Sequence, residues 1–165
     1  MKILTLIRHA KSSWDDSTVS DKERPLNRRG MRDAPQMGQK LSNRNAKPEL
    51  VLSSPAIRAI TTARIIAEQV KYPVNDIIVL EDLYEAAASD LLKIAQGLDD
   101  SLSEVFIFGH NPALSDLATE LSNGEINDMP TCGVAEFSFD VKKWSSVDKT
   151  RIKGVKFDKP KADKK

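Results

Sequence analysis

The chain contains two histidines, and each stands at the end of an apolar run. The run Ile3-Leu4-Thr5-Leu6-Ile7 leads into Arg8-His9, and Val105-Phe106-Ile107-Phe108 leads into Gly109-His110. A third run ends in Ser53-Ser54-Pro55, with Arg58 about one turn into the segment that follows. A neutral imidazole is a competent nucleophile. Its ordinary pKa is about 6.5, and neighbouring arginines favour the neutral form. Arginine adds forked donors that match phosphate oxygens and keeps its charge at any working pH. Ser54-Pro55 and Asn111-Pro112 both read as proline-opened helix starts, which turn free N–H groups and a positive dipole end toward an anion. These parts suit a phosphoryl group. One histidine would attack phosphorus, while the other histidine and the arginines stabilise the charge on the equatorial oxygens. The same set does not suit a metal, because fixed cationic arginines would repel a divalent ion and no acidic pair accompanies the histidines. No glycine-rich phosphate loop is present.

The elements that must position these residues follow from hydrophobic period and punctuation. Ile3–Ile7 reads as a strand buried on both faces, as in a parallel sheet. Ala10–Pro25 reads as a loop, with room for a helical turn; loops of that length are uncommon unless functional. Asn27 caps a predicted helix over Arg28–Arg44 with Met31, Ala34, Met37, Gly38 and Leu41 on its apolar face. Pro35 is expected to kink it or delay its start. Strands are predicted over Glu49–Leu52, Ile77–Leu80 and Glu104–Phe108. Helices are predicted from Pro55 to about Val70 with Ser54 as cap, after Ser89, and over Ala113–Leu121. Gly133–Val141 and Arg151–Phe157 alternate with period two and predict an antiparallel hairpin at one sheet edge. Strand and helix alternate along most of the chain. The expected fold class is therefore α/β, a three-layer α/β/α sandwich with a mostly parallel central sheet. Ligands bind such sheets beyond the carboxyl ends of the strands, where His9 and His110 both fall. The expected organisation is a single domain over residues 1–157 and a charged C-terminal tail over 158–165.

Composition narrows the function class. The formal net charge of +1 argues against a dedicated nucleic-acid partner. No apolar stretch approaches the roughly 20 residues of a membrane span, and the N-terminus lacks the three-part pattern of a signal peptide. The expectation is a cytoplasmic protein. Cys132 is the only cysteine, which excludes an internal disulfide framework or thiolate cluster and reads as a small buried hydrophobe.

Taken in order, several motifs resemble those of the histidine phosphatase superfamily, the phosphoglycerate mutase-like or RHG family, and within it the SixA-type phosphohistidine phosphatases. They are Leu6-Ile7-Arg8-His9-Ala10-Lys11-Ser12-Ser13-Trp14-Asp15, Arg24-Pro25-Leu26-Asn27-Arg28-Arg29-Gly30, Ser53-Ser54-Pro55-Ala56-Ile57-Arg58-Ala59, Leu83-Tyr84-Glu85-Ala86 and Gly109-His110-Asn111-Pro112. The resemblance implies a phosphoglycerate mutase-like fold and a metal-independent phosphatase needing no cofactor. His9 is implied as nucleophile, with Arg8, Arg58 and His110 completing the phosphate pocket. Glu85 is implied as proton donor to the leaving group, with Glu81 and Asp82 as neighbours able to substitute. Ala10 stands where the superfamily has glycine. Asp15 stands where many relatives have an asparagine donor; ionised, it would repel phosphate, so it is expected to point elsewhere. The implied substrate is phosphohistidine in a phosphorelay or phosphotransfer protein, handled through a covalent phosphohistidine intermediate, which makes the expected role one in signal transduction. The alternatives are a small-molecule phosphomonoesterase and a non-catalytic phosphate-binding module. Neither nucleic acid nor membrane is an expected partner. Arg24, Arg28 and Arg29 read as a solvated cap region, with a substrate-facing role for one of them as the alternative. Trp14 reads as a loop anchor in the core, with a substrate platform as the alternative.

Overall fold

In the computed structural model, which describes residues 1–161, strand β1 (Lys2–Arg8) lies inside a six-stranded sheet. The other strands are β2 (Leu50–Ser53), β3 (Ile78–Val79), β4 (Glu104–Gly109), β5 (Val134–Phe139) and β6 (Ile152–Asp158), in the order β3-β2-β4-β1-β5-β6. β3, β2, β4 and β1 pair in parallel, whereas β5 and β6 add an antiparallel hairpin at one edge. The period-two alternation of each strand divides the core into two. Leu4, Leu6, Val105 and Ile107 pack with Leu91, Leu114, Leu117 and Leu121, which belong to α3 (Ala88–Gln96) and α4 (Ala113–Leu121). Ile7, Phe106 and Phe108 pack with Met37, Leu41, Ala63 and Ile66, from α1 (Arg28–Asn43) and α2 (Ile57–Gln69). Helices thus cover both faces of the sheet, the expected three layers. Phe106 and Phe108 are fully buried, each contributing about 1.5–3 kcal/mol of hydrophobic stabilisation, which fixes β4 in the centre.

Several boundaries differ from the sequence expectation. Asn27 does cap α1, its Oδ1 accepting from the Gly30 N–H at 2.9 Å. The buried stripe, however, is Gly30, Asp33, Ala34, Met37, Gly38 and Leu41, and Met31 is 51% exposed. Asp33 can enter that stripe because Arg29 and Arg32 approach its carboxylate at 3.4 and 3.1 Å. Pro35 is accommodated inside α1, which continues to Asn43. α2 starts at Ile57, two residues later than expected. The Ser54 hydroxyl is not its cap but accepts from the Ala56 N–H (3.2 Å) in the preceding turn. α3 starts before Ser89, and the Asp90 carboxylate ties its start by accepting from the Ala87 N–H (2.9 Å). β3 is only two residues long and exposed, because it sits at the open edge and pairs only with Leu52 and Ser53. β6 runs through Asp158, which pairs with Val134 and accepts from Lys40 Nζ at 3.1 Å. The charged tail therefore begins at Lys159, and its last residues, 162–165, lie outside the described residues.

One close approach links α1 to the loop after β1. A Cβ built on Gly30 would come within 2.2 Å of the Lys11 carbonyl oxygen, which also accepts from the Asn27 N–H at 2.9 Å. Gly30→Ala is expected to push the loop off the helix start. The predicted loss is about 1–3 kcal/mol of stability, the scale of overpacking in a tight site, read as a lowered denaturant midpoint with unchanged slope. An unchanged midpoint would mean that the loop yields freely.

Candidate active site

Parallel pairing of β1 and β4 places Arg8 opposite Gly109, so the next residues, His9 and His110, emerge side by side. Their ring centroids are 5.2 Å apart. The His9 N–H donates to the Gly109 carbonyl (3.2 Å), and the Cys132 N–H donates to the His9 carbonyl (3.0 Å). From the other side of β4, the Ser54 N–H donates to the Phe108 carbonyl at 3.1 Å. That contact brings Ser54 Oγ to 2.7 Å from His110 Nε2. The Ala10 N–H donates to Thr62 Oγ1 (3.0 Å), whose hydroxyl donates to the Arg58 carbonyl (2.7 Å). Ala10 is fully buried and is not among the residues with positive φ, so its methyl group sits there without backbone strain. A Cβ at Gly109 would meet Leu114 only at 3.8 Å, an ordinary contact, so protein packing there does not require glycine.

Hydrogen bonding assigns the His9 tautomer. His9 Nδ1 lies 2.7 Å from the Ala10 carbonyl oxygen. A carbonyl only accepts, so Nδ1 carries the proton and the Nε2 lone pair is left for chemistry. Ser54 Oγ accepts from the Ala56 N–H and pairs with His110 Nε2 at 2.7 Å. Burial pushes the His9 pKa down to about 3; the charges of His110, Arg58 and Arg8 act in the same direction, against the Ala10 hydrogen bond. Burial followed by Arg58 lowers His110 to about 4. Both rings are neutral at pH 7, the form a nucleophile needs.

Because folding depresses both values below the unfolded histidine pKa of about 6.5, the unfolded chain binds more protons in acid. This part of the stability is fully present above about pH 6.5 and is lost as pH falls toward 4 and then 3. With only two histidines, a ring-proton NMR titration reads this directly. Neither ring is expected to show a midpoint near 6.5 in the folded protein; a midpoint there would mean that the rings are solvated.

The arginines complete the pocket. Arg8 Nη1 donates to the Met129 carbonyl at 3.1 Å. Arg58 is buried and donates from Nη1 to the Asp21 carbonyl (2.6 Å) and from Nη2 to Asp21 Oδ2 (2.9 Å). The Nε atoms of both arginines are buried and without a hydrogen-bond partner. Buried unpaired donors are uncommon in folded proteins, and on two cations lining one pocket they suit an oxyanion ligand. The pocket encloses about 360 Å³ and is lined by Arg8, His9, Arg58 and His110 together. Among the described residues, no group of three or more His, Cys, Asp or Glu could hold a metal ion.

Of the other pocket residues, the sequence left Asp21 unassigned and gave Arg24 and Trp14 a place near substrate only as an alternative. Asp21, in a 3₁₀ turn of the loop, accepts from Arg58, from Arg24 Nε (3.2 Å) and from the Tyr84 hydroxyl. These donors, the Tyr84 hydroxyl first, hold its carboxyl well below the usual carboxylate range. Arg24, expected to be solvated, is 7% exposed and donates to Ser12 Oγ (2.8 Å) and the Ser13 carbonyl (3.2 Å). Trp14, expected in the core, is 73% exposed, lines the pocket and lies over the Arg24 guanidinium at 3.5 Å. Glu85 is exposed and lines an adjoining groove with Glu81 and Asp82. Tyr84 borders both the groove and the pocket. Asp15 is exposed and does not line the pocket. Cys132 is buried, which raises its thiol pKa to about 12, with Asp33 adding to the shift. No helix among the described residues is long and apolar enough to cross a membrane.

Comparisons with known proteins bear on the family and the fold. The uncharacterized chloroplastic protein At3g52155 of Arabidopsis thaliana is 33% identical over 141 residues, covering 80% of this chain. The chain spans 64% of that relative's length. Uncharacterized protein Rv1276c of Mycobacterium tuberculosis is 30% identical over 139 residues, covering 78% of this chain and 84% of the relative. Among solved structures, a protein of Agrobacterium tumefaciens assigned as the phosphohistidine phosphatase SixA superposes with a TM-score of 0.74 at 26% identity, covering 84% of this chain and 92% of its own. The protein histidine phosphatase SixA complexed with tungstate superposes at 0.75 with 24% identity, covering 94% of both chains. The sequence model of the histidine phosphatase superfamily (branch 1) matches residues 4–96. The chain, with its phosphoglycerate mutase-like sheet and its paired histidines, belongs to that superfamily.

Proposed function

We propose that the protein is a phosphatase that passes a phosphoryl group through His9 and that its substrate is phosphohistidine on another protein. The observation that carries the first part is the Nε2 lone pair of a neutral His9, freed by the Nδ1 contact to the Ala10 carbonyl and set in one pocket with Arg8, Arg58 and His110. In the first step Nε2 attacks phosphorus. The bond from phosphorus to the leaving group breaks, and its electron pair departs with that group. In the second step water attacks phospho-His9, the P–N bond breaks, and phosphate and neutral His9 are regenerated with release of the water proton. Arg8, Arg58 and His110 hold the equatorial oxygens through both steps, where most of the stabilisation arises.

Proton supply supports this substrate class. Asp21, the carboxylate lining the pocket among the described residues, is held as an anion by Arg58, Arg24 and Tyr84. It has no proton to give a leaving alkoxide. A phosphohistidine whose far ring nitrogen carries a proton leaves as neutral imidazole and asks for none. The solved structures named for SixA support the same class. The test is side-by-side turnover of a phosphohistidine-bearing phosphotransfer protein and a panel of sugar, nucleotide and serine phosphates. The phosphohistidine protein is expected to be preferred. A strong preference for one small ester would instead make Glu85, in the adjoining groove, the acid to examine and would replace the substrate assignment.

A further inference from the structure

Trp14 is the most exposed large apolar side chain among the described residues. The other tryptophan, Trp144, is fully buried, with Nε1 donating to the Leu102 carbonyl at 2.8 Å. Trp14 is instead 73% exposed, although it lines the His9 pocket. One face of its indole is set by the Arg24 guanidinium at 3.5 Å. Arg24 is itself fixed by Ser12, Ser13 and Asp21. The ring is therefore oriented by an anchored cation, with most of its surface left to solvent. A single exposed apolar side chain is ordinary on a protein surface; what sets Trp14 apart is that its ring is held by an anchored cation and lines the pocket of His9. Tyr84, the other aromatic residue that lines the pocket among the described residues, is already engaged. Its hydroxyl donates to Asp21, its ring meets His110 edge-on at 5.6 Å, and Lys22 Nζ lies 4.8 Å from its centroid.

In-line displacement puts the leaving group on the side of phosphorus away from His9. His9 is buried, so that side is toward the pocket mouth, where exposed residues such as Trp14 stand. We propose that Trp14 is the platform on which the leaving group stacks, making the site selective for phosphoryl groups attached to flat heteroaromatic rings. The inference rests on the phosphohistidine reading above and adds the feature by which the imidazole itself is recognised. Stacking suits this task because every such ring has a π-face, whatever its hydrogen-bonding edge.

The test uses two P–N substrates that differ in the ring: phosphoimidazole, which releases imidazole, and phosphoramidate, which releases ammonia. Wild type, Trp14→Ala and Trp14→Phe are compared by kcat/KM. Trp14→Ala is expected to lower the phosphoimidazole-to-phosphoramidate ratio about tenfold, the scale of one lost stacking contact, chiefly through KM, and Trp14→Phe to restore most of it. An unchanged ratio, whether both rates fall together or neither falls, would overturn the platform, because a role limited to holding Arg24 affects both substrates alike. Failure of wild type to hydrolyse either compound would instead remove the phosphohistidine reading, and the platform with it.

Discussion

Replacing His9 with alanine is expected to abolish turnover, by about 10⁴-fold or more, the scale on which loss of a nucleophile is felt. The size of the effect follows from the site having no second group in the same position. His110 is beside it, but its Nε2 is paired with Ser54 Oγ, and the residue emerges from β4 rather than β1. Asp21 is engaged by Arg58, Arg24 and Tyr84. The substitution removes one ring from a pocket and leaves the β1–β4 register intact, because the Arg8–Gly109 pairing and the His9 N–H bond belong to the backbone. The variant should therefore fold, as circular dichroism will show, and still bind inorganic phosphate. Residual turnover within tenfold of wild type would mean that the reaction does not pass through His9.

Arg58→Ala is expected to lose about 2–4 kcal/mol of transition-state stabilisation, or roughly 10²–10³-fold in kcat/KM, by analogy with removal of one charge-stabilising donor. Two consequences combine. The phosphoryl oxygens lose a forked cation, and Asp21 loses the Nη1 and Nη2 contacts that seat its turn over the pocket. Arg58→Lys should recover only part of the loss, because an ammonium is a point charge without the planar fork. The comparison separates charge from geometry: equal activity of the lysine variant and wild type would mean that charge alone suffices. Unchanged kinetics in Arg58→Ala would remove this residue from the pocket.

The layers of the fold and the centre of the site were legible because they depend on period and on strand ends. Ile3–Ile7 and Val105–Phe108 are apolar on both faces, so they had to be central, and parallel pairing then brings His9 to His110. The rim was not legible. Asp21, Arg24 and Trp14 lie in a loop without a period, and what fixes them is a set of contacts from Ser12, Arg58 and Tyr84, distant in sequence. Nothing local distinguishes a buried Arg24 from a solvated cap arginine. Ser54 shows the opposite error. Its sequence signal for a helix cap is sound, but His110 and Ala56 take up the hydroxyl. Met31 fell outside the buried stripe because Asp33, neutralised by Arg29 and Arg32, took a place that its residue type alone would not predict.

The most direct test of the account is to trap the intermediate. Wild type is mixed briefly with a labelled phosphoryl donor, quenched in alkali and digested, and the labelled peptide is sequenced by mass spectrometry. An acid-labile, alkali-stable phosphoryl group is expected on the peptide that carries His9, and is expected to be absent from His9→Ala. Label on His110 or on any other residue, or turnover with no label at all, would contradict it.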